Sequence, residues 1–349
     1  MDNCVQLLLN KLPFLNGAIM IVADENWQNV DWHSIKIFKQ KNMRVFSNRF
    51  DIVGNVNNSG IECIFCDFDF SQIPEKSLDH IIFRVSKEKA ITQHTINNAQ
   101  RLLKKGASLL IAGQKKEGIK TYIKLSQKLL SDTSKIQKFG VDYIASIACR
   151  SIVKGKAEGD DYSQMRKIVH TDDRIFFSKP GIFGWRKIDQ GSKFLCEHLE
   201  LFFKTYDFIP TSLLDLGCGY GYVACEARRF EFLNIFATDN NAAAISACKL
   251  NFTHYGLREA NVMATDAGQR ISENFDAILC NPPIHVGSRV DLALIRKFLI
   301  STRRLLTKTG KALFVVDVCT PLESLAMNNF SRVHTISKNR QFKLISLSQ

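Results

Sequence analysis

At 349 residues the chain is too long for one comfortable core, and with 45% hydrophobic and 23% charged residues it is too apolar to be disordered. Lysine and arginine outnumber acids 47 to 34, an excess of +13 spread along the chain, which suits a polyanionic partner such as nucleic acid. No apolar run reaches the ~18 residues of a bilayer span, so no membrane partner is expected.

The opening stretch MDNCVQLLLNKLPF has an acid at position 2, no basic region and no small-residue cleavage site. It predicts no secretory signal, and hence a cytoplasmic protein whose ten scattered cysteines are small buried hydrophobes. Ala18–Ala23, Ile61–Phe65 and His80–Val85 predict buried strands. A helix is expected over Lys89–Lys105, a strand over Ala107–Ala112 and a second helix over Gly118–Leu130. Cys63 and Cys66 form a single C-x-x-C without the second pair that a structural zinc needs, so no metal is expected. Polar Ser151–Asp173 reads as a linker and puts the boundary near residue 165, dividing the chain into 1–165 and 166–349.

The second half opens its chemistry at Ser212-Leu213-Leu214-Asp215-Leu216, an apolar strand running into Gly217-Cys218-Gly219-Tyr220-Gly221 and then a helical stretch, Tyr222–Phe230. Glycines there let the chain turn tightly and a ligand approach the backbone. A dinucleotide fingerprint would be G-x-G-x-x-G/A, whereas Tyr222 follows the third glycine. The G-x-G-x-G spacing, with Asp215 just before it, fits S-adenosylmethionine (SAM), which has no pyrophosphate to seat on a helix N-terminus. A second strand, Asn234–Thr238, ends at Asp239 beside Asn240, where a carboxylate can accept from both ribose hydroxyls. A third, Asn261–Ala264, leads to Asp266, placed to accept from the adenine amino group.

After a fourth strand, Phe275–Cys280, comes Asn281-Pro282-Pro283-Ile284-His285. An exocyclic amine on a base is a poor nucleophile because its lone pair is delocalised into the ring. The Asn281 side-chain oxygen and the Pro282 carbonyl can accept its two N–H groups, aim the lone pair at the sulfonium methyl and stabilise charge growing on nitrogen. Proline holds such acceptors in place by fixing φ and keeping its predecessor extended. Read alone, N-P-P is equally a rigid turn. Behind a SAM-type loop, at the end of the fourth strand, the catalytic reading is the better one. Oxygen and carbon methyltransferases would not need the acceptor pair.

One internal comparison reaches across the halves. LDHIIFRV, a helix and LLKKGASLLIAG parallel FDAILCNPP, a helix and LLTKTGKALFVV, with Asp79 matched to Asp276 and Gly106 to Gly310. Each glycine is expected to close its helix before the next strand. The fold class predicted is therefore α/β, two tandem Rossmann-like domains of the class I methyltransferase type.

With these motifs, the chain resembles the ribosomal RNA small subunit methyltransferase C group and its large-subunit relatives, which make N2-methylguanine. DLGCGYG, Asp239, the N-P-P-x-H-x-G run ending at Gly287, the segment FFSKPGIFGWRKIDQGSKFL and the closing FSRVHTISKNRQFKLISLS carry the resemblance over roughly 170–349. HIIFRVSKEKA and SLLIAGQKKEG carry it more loosely in the first half. The resemblance implies that Asp215, Gly217, Gly219, Gly221, Asp239, Asn240, Asp266 and Asn281 line the cofactor pocket and that Asn281, Pro282 and Pro283 hold the guanine amine. Asp189 and Gly191 would close over the cofactor. It also implies a degenerate first half that has lost SAM binding, in keeping with a first strand that runs into DENWQNVDW with no glycine turn. The implied partner is 16S ribosomal RNA in the small subunit, acted on by a monomer.

The departure is Ile284, where the family usually has phenylalanine to stack on the base; Phe183 is a candidate substitute. His285 reads as a loop-ordering neighbour of the substrate rather than a base. Competing targets are 23S guanine N2, adenine N6 and protein glutamine, the last disfavoured by a strand-rich first half. From a different class, a non-catalytic RNA-binding scaffold is disfavoured by the intact Asp215, Gly217, Gly219, Asp239 and Asn281.

Overall fold

A computed structural model describes residues 1–34, 42–151, 153, 155–159, 161–171, 174–283, 285, 286 and 289–349, and only the backbone of 169–171, 285, 286, 289 and 290. The chain divides into two compact units, Met1–Gln164 and Met165–Gln349.

In the first unit, α1 (Asn3–Leu9) precedes β1 (Ile19–Ala23), β2 (Met43–Ser47), α2 (Phe50–Asn58), β3 (Glu62–Phe65) and β4 (Leu78–Arg84). Then follow α3 (Lys89–Leu102), β5 (Leu103–Gln114), α4 (Ile119–Leu130) and the hairpin β6 (Gln137–Phe139) and β7 (Asp142–Ala148). The sheet order is β3-β2-β1-β4-β5-β7-β6, the first five strands parallel and β7 and β6 antiparallel. A continuous apolar run such as β1, IMIVA, is buried at every position because helices cover both faces of a parallel sheet. The β2 strand, MRVFS, was not expected from the sequence: charged Arg44 interrupts it and the apolar run is short.

The second unit starts with a hairpin, β8 (Arg166–Thr171) and β9 (Arg174–Ser178). The last part of the expected linker is therefore paired strand, whose cross-strand hydrogen bonds outweigh its polar composition. After α5 (Gln190–Glu197) and α6 (Leu199–Phe203) come β10 (Ser212–Leu216), α7 (Tyr222–Ala227), β11 (Asn234–Asp239), α8 (Ala242–His254), β12 (Asn261–Ala264) and β13 (Phe275–Cys280). A two-residue pair, β14 (His285–Val286) and β15 (Arg289–Val290), leads to α9 (Leu292–Leu305), β16 (Leu306–Asp317), α10 (Leu322–Ala326), β17 (Arg332–Lys338) and β18 (Phe342–Ser348). The sheet order is β12-β11-β10-β13-β16-β18-β17, the same winding as in the first unit. In both, the order reverses at the central strand, which opens a crevice at its carboxyl end.

The likeness extends to irregularities. Leu78 pairs with Leu103 and His80 with Ser108; Phe275 pairs with Leu306 and Ala277 with Lys311, so both sheets skip the same number of residues at the same place. The 12-residue strands β5 and β16 share one burial pattern throughout. This register corrects the expected glycine match. Gly106 falls opposite Thr309, and Gly310 opposite Ala107. Neither glycine caps a helix: α3 and α9 end on extended Leu103 and Leu306, which already belong to the sheet. Gly106 uses its freedom for a φ of +83°, whereas Gly310 is needed because a Cβ would lie 2.8 Å from the Phe275 carbonyl oxygen. The match of Asp79 with Asp276 holds: each accepts a backbone N–H at the start of its central strand, from Ala18 and Thr211.

Candidate active site

β10 leaves the sheet at Leu216, and five residues turn the chain into α7. The turn is tied to β11: Gly217 and Cys218 donate to the Thr238 carbonyl at 2.8 and 2.9 Å, and Gly219 N–H donates to Asp239 Oδ2 at 2.9 Å. Gly219 has a φ of +54°, and a Cβ there would meet nothing within 4 Å. Its backbone is thus open to an approaching ligand. At Gly221, φ +85°, a Cβ would lie 2.8 Å from Cys248 Sγ, so that glycine is dictated by packing of the turn on α8.

Below the turn, Asp215 is buried and accepts the Ala224 N–H at 3.0 Å, holding the first turn of α7. Burial pushes its carboxyl up to about 7, and the Asp239 charge adds to the effect. Asp239 itself spans the crevice edge, with Oδ2 on Gly219 and Oδ1 accepting Asn241 N–H at 2.8 Å. Asn241 caps α8 and donates to Gly181 O at 3.1 Å, fastening the segment before α5 to the end of β11. Asp266, just past β12, is ion-paired with Lys297 of α9.

At the end of β13, Asn281 is half-buried, and its Nδ2 donates to Asp189 Oδ2 and Ser192 Oγ, both at 2.8 Å. Asp189 is the N-cap of α5, and the same Oδ2 accepts Ser192 N–H at 2.8 Å. A carboxylate can only accept, so the network assigns the NH2 end of the Asn281 amide to Asp189 and turns Oδ1 the other way. Gly191 makes room: a Cβ there would sit 3.1 Å from Asp189 Oδ2 and 3.6 Å from Asn281 Nδ2. Pro282 is buried and Pro283 exposed.

A glycine turn with an open backbone, acids at successive strand ends and an oriented Asn-Pro at the fourth lie along the carboxyl edge of one sheet. The family description "Methyltransferase small domain" matches residues 173–346, and "Methyltransferase small domain N-terminal" matches residues 6–138. The chain belongs to the methyltransferase small-domain family. It is 25% identical over 343 residues to the ribosomal RNA small subunit methyltransferase C of Actinobacillus pleuropneumoniae serotype 5b (strain L20), covering 98% of this chain and 97% of that protein. It is 26% identical over 273 residues to the protein of the same name from Psychromonas ingrahamii, covering 78% and 76%. The solved T. thermophilus 16S rRNA N2 G1207 methyltransferase (RsmC), in complex with AdoMet and guanosine, superposes with a TM-score of 0.85 at 20% identity, over 100% of this chain and 92% of that one.

Within this methyltransferase domain Asp215, Gly217, Gly219, Gly221 and Asp239 come together at the glycine turn, and Asp189, Gly191 and Asn281 at the end of β13. Asn240 lies between Asp239 and the α8 cap, and Asp266 faces Lys297. Phe183 is 76% exposed, so no pocket wall holds its ring. Ile284 and Gly287 lie outside the described residues, as does the His285 side chain. Sequence reasoning missed Ser192, Asn241 and Lys297. The first stands three residues after an N-cap aspartate, the second is an asparagine opening a helix, and both follow capping rules. Nothing local marks Lys297, whose partner is 31 residues away. Among the described residues no group of three or more His, Cys, Asp or Glu could hold a metal ion, and no helix is long and apolar enough to cross a membrane.

Proposed function

We propose that this chain transfers a methyl group from SAM to the exocyclic N2 of a guanine in 16S ribosomal RNA, in the cytoplasm, as a monomer acting on the small subunit. The held orientation of the Asn281 amide carries the reading. With both amide hydrogens engaged, the group offers an incoming amine an acceptor and no competing donor.

The donor set fits SAM. Acids end successive strands around an open glycine backbone, which suits a cationic sulfonium and a ribose diol and would repel a pyrophosphate. Asp239 stands at the end of β11, where its carboxylate would accept from ribose hydroxyls. Asn240 and Asp266 would line the adenine side, where the ion pair with Lys297 holds the Asp266 carboxylate in place. Asp215, buried beneath the turn, would shape the loop rather than touch the ligand. When bound, SAM supplies a methyl group already activated by its sulfonium.

The chain's own part is to hold and aim. Asn281 Oδ1 and the Pro282 carbonyl would take the two N–H groups of the amine, with Pro283 stiffening the turn. The proton released after transfer goes to solvent. Asp189 would act through Asn281, by fixing its orientation, rather than by covering the cofactor. The first unit would be catalytically silent.

The test is direct product mapping. Purified protein, SAM and small-subunit rRNA, naked and within assembled subunits, are expected to yield N2-methylguanine at one position, read by nuclease digestion and mass spectrometry. Methylation confined to adenine or to glutamine peptides would overturn the substrate assignment.

A further inference from the structure

We propose that the silent unit docks RNA through an exposed lysine face formed by α4 and the β6–β7 hairpin. The proposal rests on the RNA reading above. α4 has the sequence IKTYIKLSQKLL. It buries Ile119, Ile123, Leu129 and Leu130 in the core of its unit and exposes Lys120, Lys124 and Lys128 at four-residue spacing, a row ~12 Å long. Lys115 and Lys116, in the turn that leads into α4, are exposed as well. Exposed Lys138 on β6 pairs across the hairpin with Tyr143, and Lys120 Nζ lies 4.9 Å above the Tyr143 ring. Cross-strand partners share a face, so hairpin and helix present their lysines together.

None of these six lysines has an ion-pair partner among the described residues. The three acids in the same stretch are turned inward and used: Glu117 pairs with Arg84, Asp132 with Arg150 and the Ala148 N–H, and buried Asp142 accepts from the Cys4 thiol. Like charges four residues apart repel along a helix, so the row opposes folding unless an external polyanion offsets it. The duplication supplies an internal control. The helix after the matching strand of the second unit is α10, LESLA, which has no lysine and whose Glu323 pairs with Lys343. Both C-terminal hairpins carry exposed basic residues, Lys338 and Arg340 in β17–β18 among them, but the lysine row along the helix belongs to the copy whose chemistry is lost. A lipid surface is disfavoured as the occupant, because the apolar side of α4 is committed to the core and only Phe139 and Val141 of the hairpin are left exposed to enter a bilayer. Phosphates of an RNA backbone need only the charge.

The full-length protein carrying Lys120→Gln, Lys124→Gln and Lys128→Gln tests this against naked 16S rRNA. Expected are a Kd and KM for RNA raised on the order of tenfold, a slope of log Kd against log salt shallower by about two to three, and an unchanged kcat and SAM affinity. Unchanged thermal unfolding, and recovery in the Lys→Arg triple variant, would separate docking from damage. An unaltered Kd and salt slope would overturn the docking face, and so would binding of the wild type to phosphatidylglycerol vesicles rather than RNA. If the wild type binds RNA with a slope the variant loses but methylates no RNA, the face stands and the substrate reading falls.

Discussion

Asn281 and Arg84 end equivalent strands, β13 and β4, and each reaches back to the aspartate that caps the first helix of its unit. Asp189 caps α5 and accepts from Asn281; Asp2 caps α1 and pairs with Arg84 at 3.0 Å. The scaffold contact is the same, and the consequence is opposite. Asn281 spends its donors on Asp189 and Ser192, which leaves the acceptor end of its amide for the role proposed above. Arg84 has only donors, spent on Asp2, Glu117 and the Val85 carbonyl, and is itself 2% exposed. No amine can be gripped there.

The same contrast recurs around the crevice. In place of Asp239 the first unit has Ser47, whose hydroxyl accepts the Arg49 N–H. In place of Asp266 it has Asp67, which accepts the Tyr162 hydroxyl at 2.5 Å, the Tyr162 ring being buried and packed against Phe68 and His94. His94 occupies the α3 position that Lys297 holds in α9. A doubly wound sheet keeps its order through burial of strands, so a few changes at strand ends can remove chemistry without unfolding the scaffold.

The sharpest way to break this comparison is to exchange the two end positions' roles. Asn281→Ala should lower kcat by about a hundredfold to a thousandfold with SAM affinity nearly unchanged, as expected for loss of one preorganised acceptor. Normal turnover would end the acceptor assignment. Arg84→Met should leave kcat intact but reduce unfolding free energy by about 2–4 kcal/mol, because Asp2 and Glu117 lose a common partner; their partial exposure moderates the cost. Denaturant melts of the two variants, beside kinetics, should therefore give opposite patterns.

A smaller effect is expected at Asp189. Asp189→Ala frees the amide to rotate and should cost about tenfold to a hundredfold in kcat. Asp189→Asn keeps an oxygen for both N–H groups and should recover most of the loss; a KM change alone would argue for a cofactor-covering role instead. Tyr162→Phe should destabilise the first unit by about 1–2 kcal/mol and leave methyl transfer untouched. An effect on SAM affinity would contradict a silent first unit.

The mildest signature is pH dependence. The Asp215 carboxyl is raised from 3.8 to about 7, so between those values the folded chain holds a proton that the unfolded chain lacks. Its contribution is full below about pH 4 and is lost as pH rises through 7. Asp215→Asn should flatten that limb of the stability profile, measured by thermal melts from pH 4 to 8.

Much of this is legible in the amino-acid sequence. The strands β12 and β13 appear where expected, because short β-branched and aromatic runs bounded by turn residues have few other solutions. The duplication showed in a few letters, LDHIIF against FDAILC, since a buried parallel strand tolerates only apolar side chains. Tertiary structure decided the rest. Whether Asp266 met a cation depended on Lys297, 31 residues on, and the Asn281 amide was oriented by Asp189, 92 residues earlier. The register gap where β5 meets the start of β4, and β16 the start of β13, places each glycine inside a strand rather than at a helix end. Local patterns determine which groups lie at the ends of strands, because side-chain period and burial are local properties. Which atoms of those groups face the crevice is settled only by partners that the winding of the sheet brings from far along the chain.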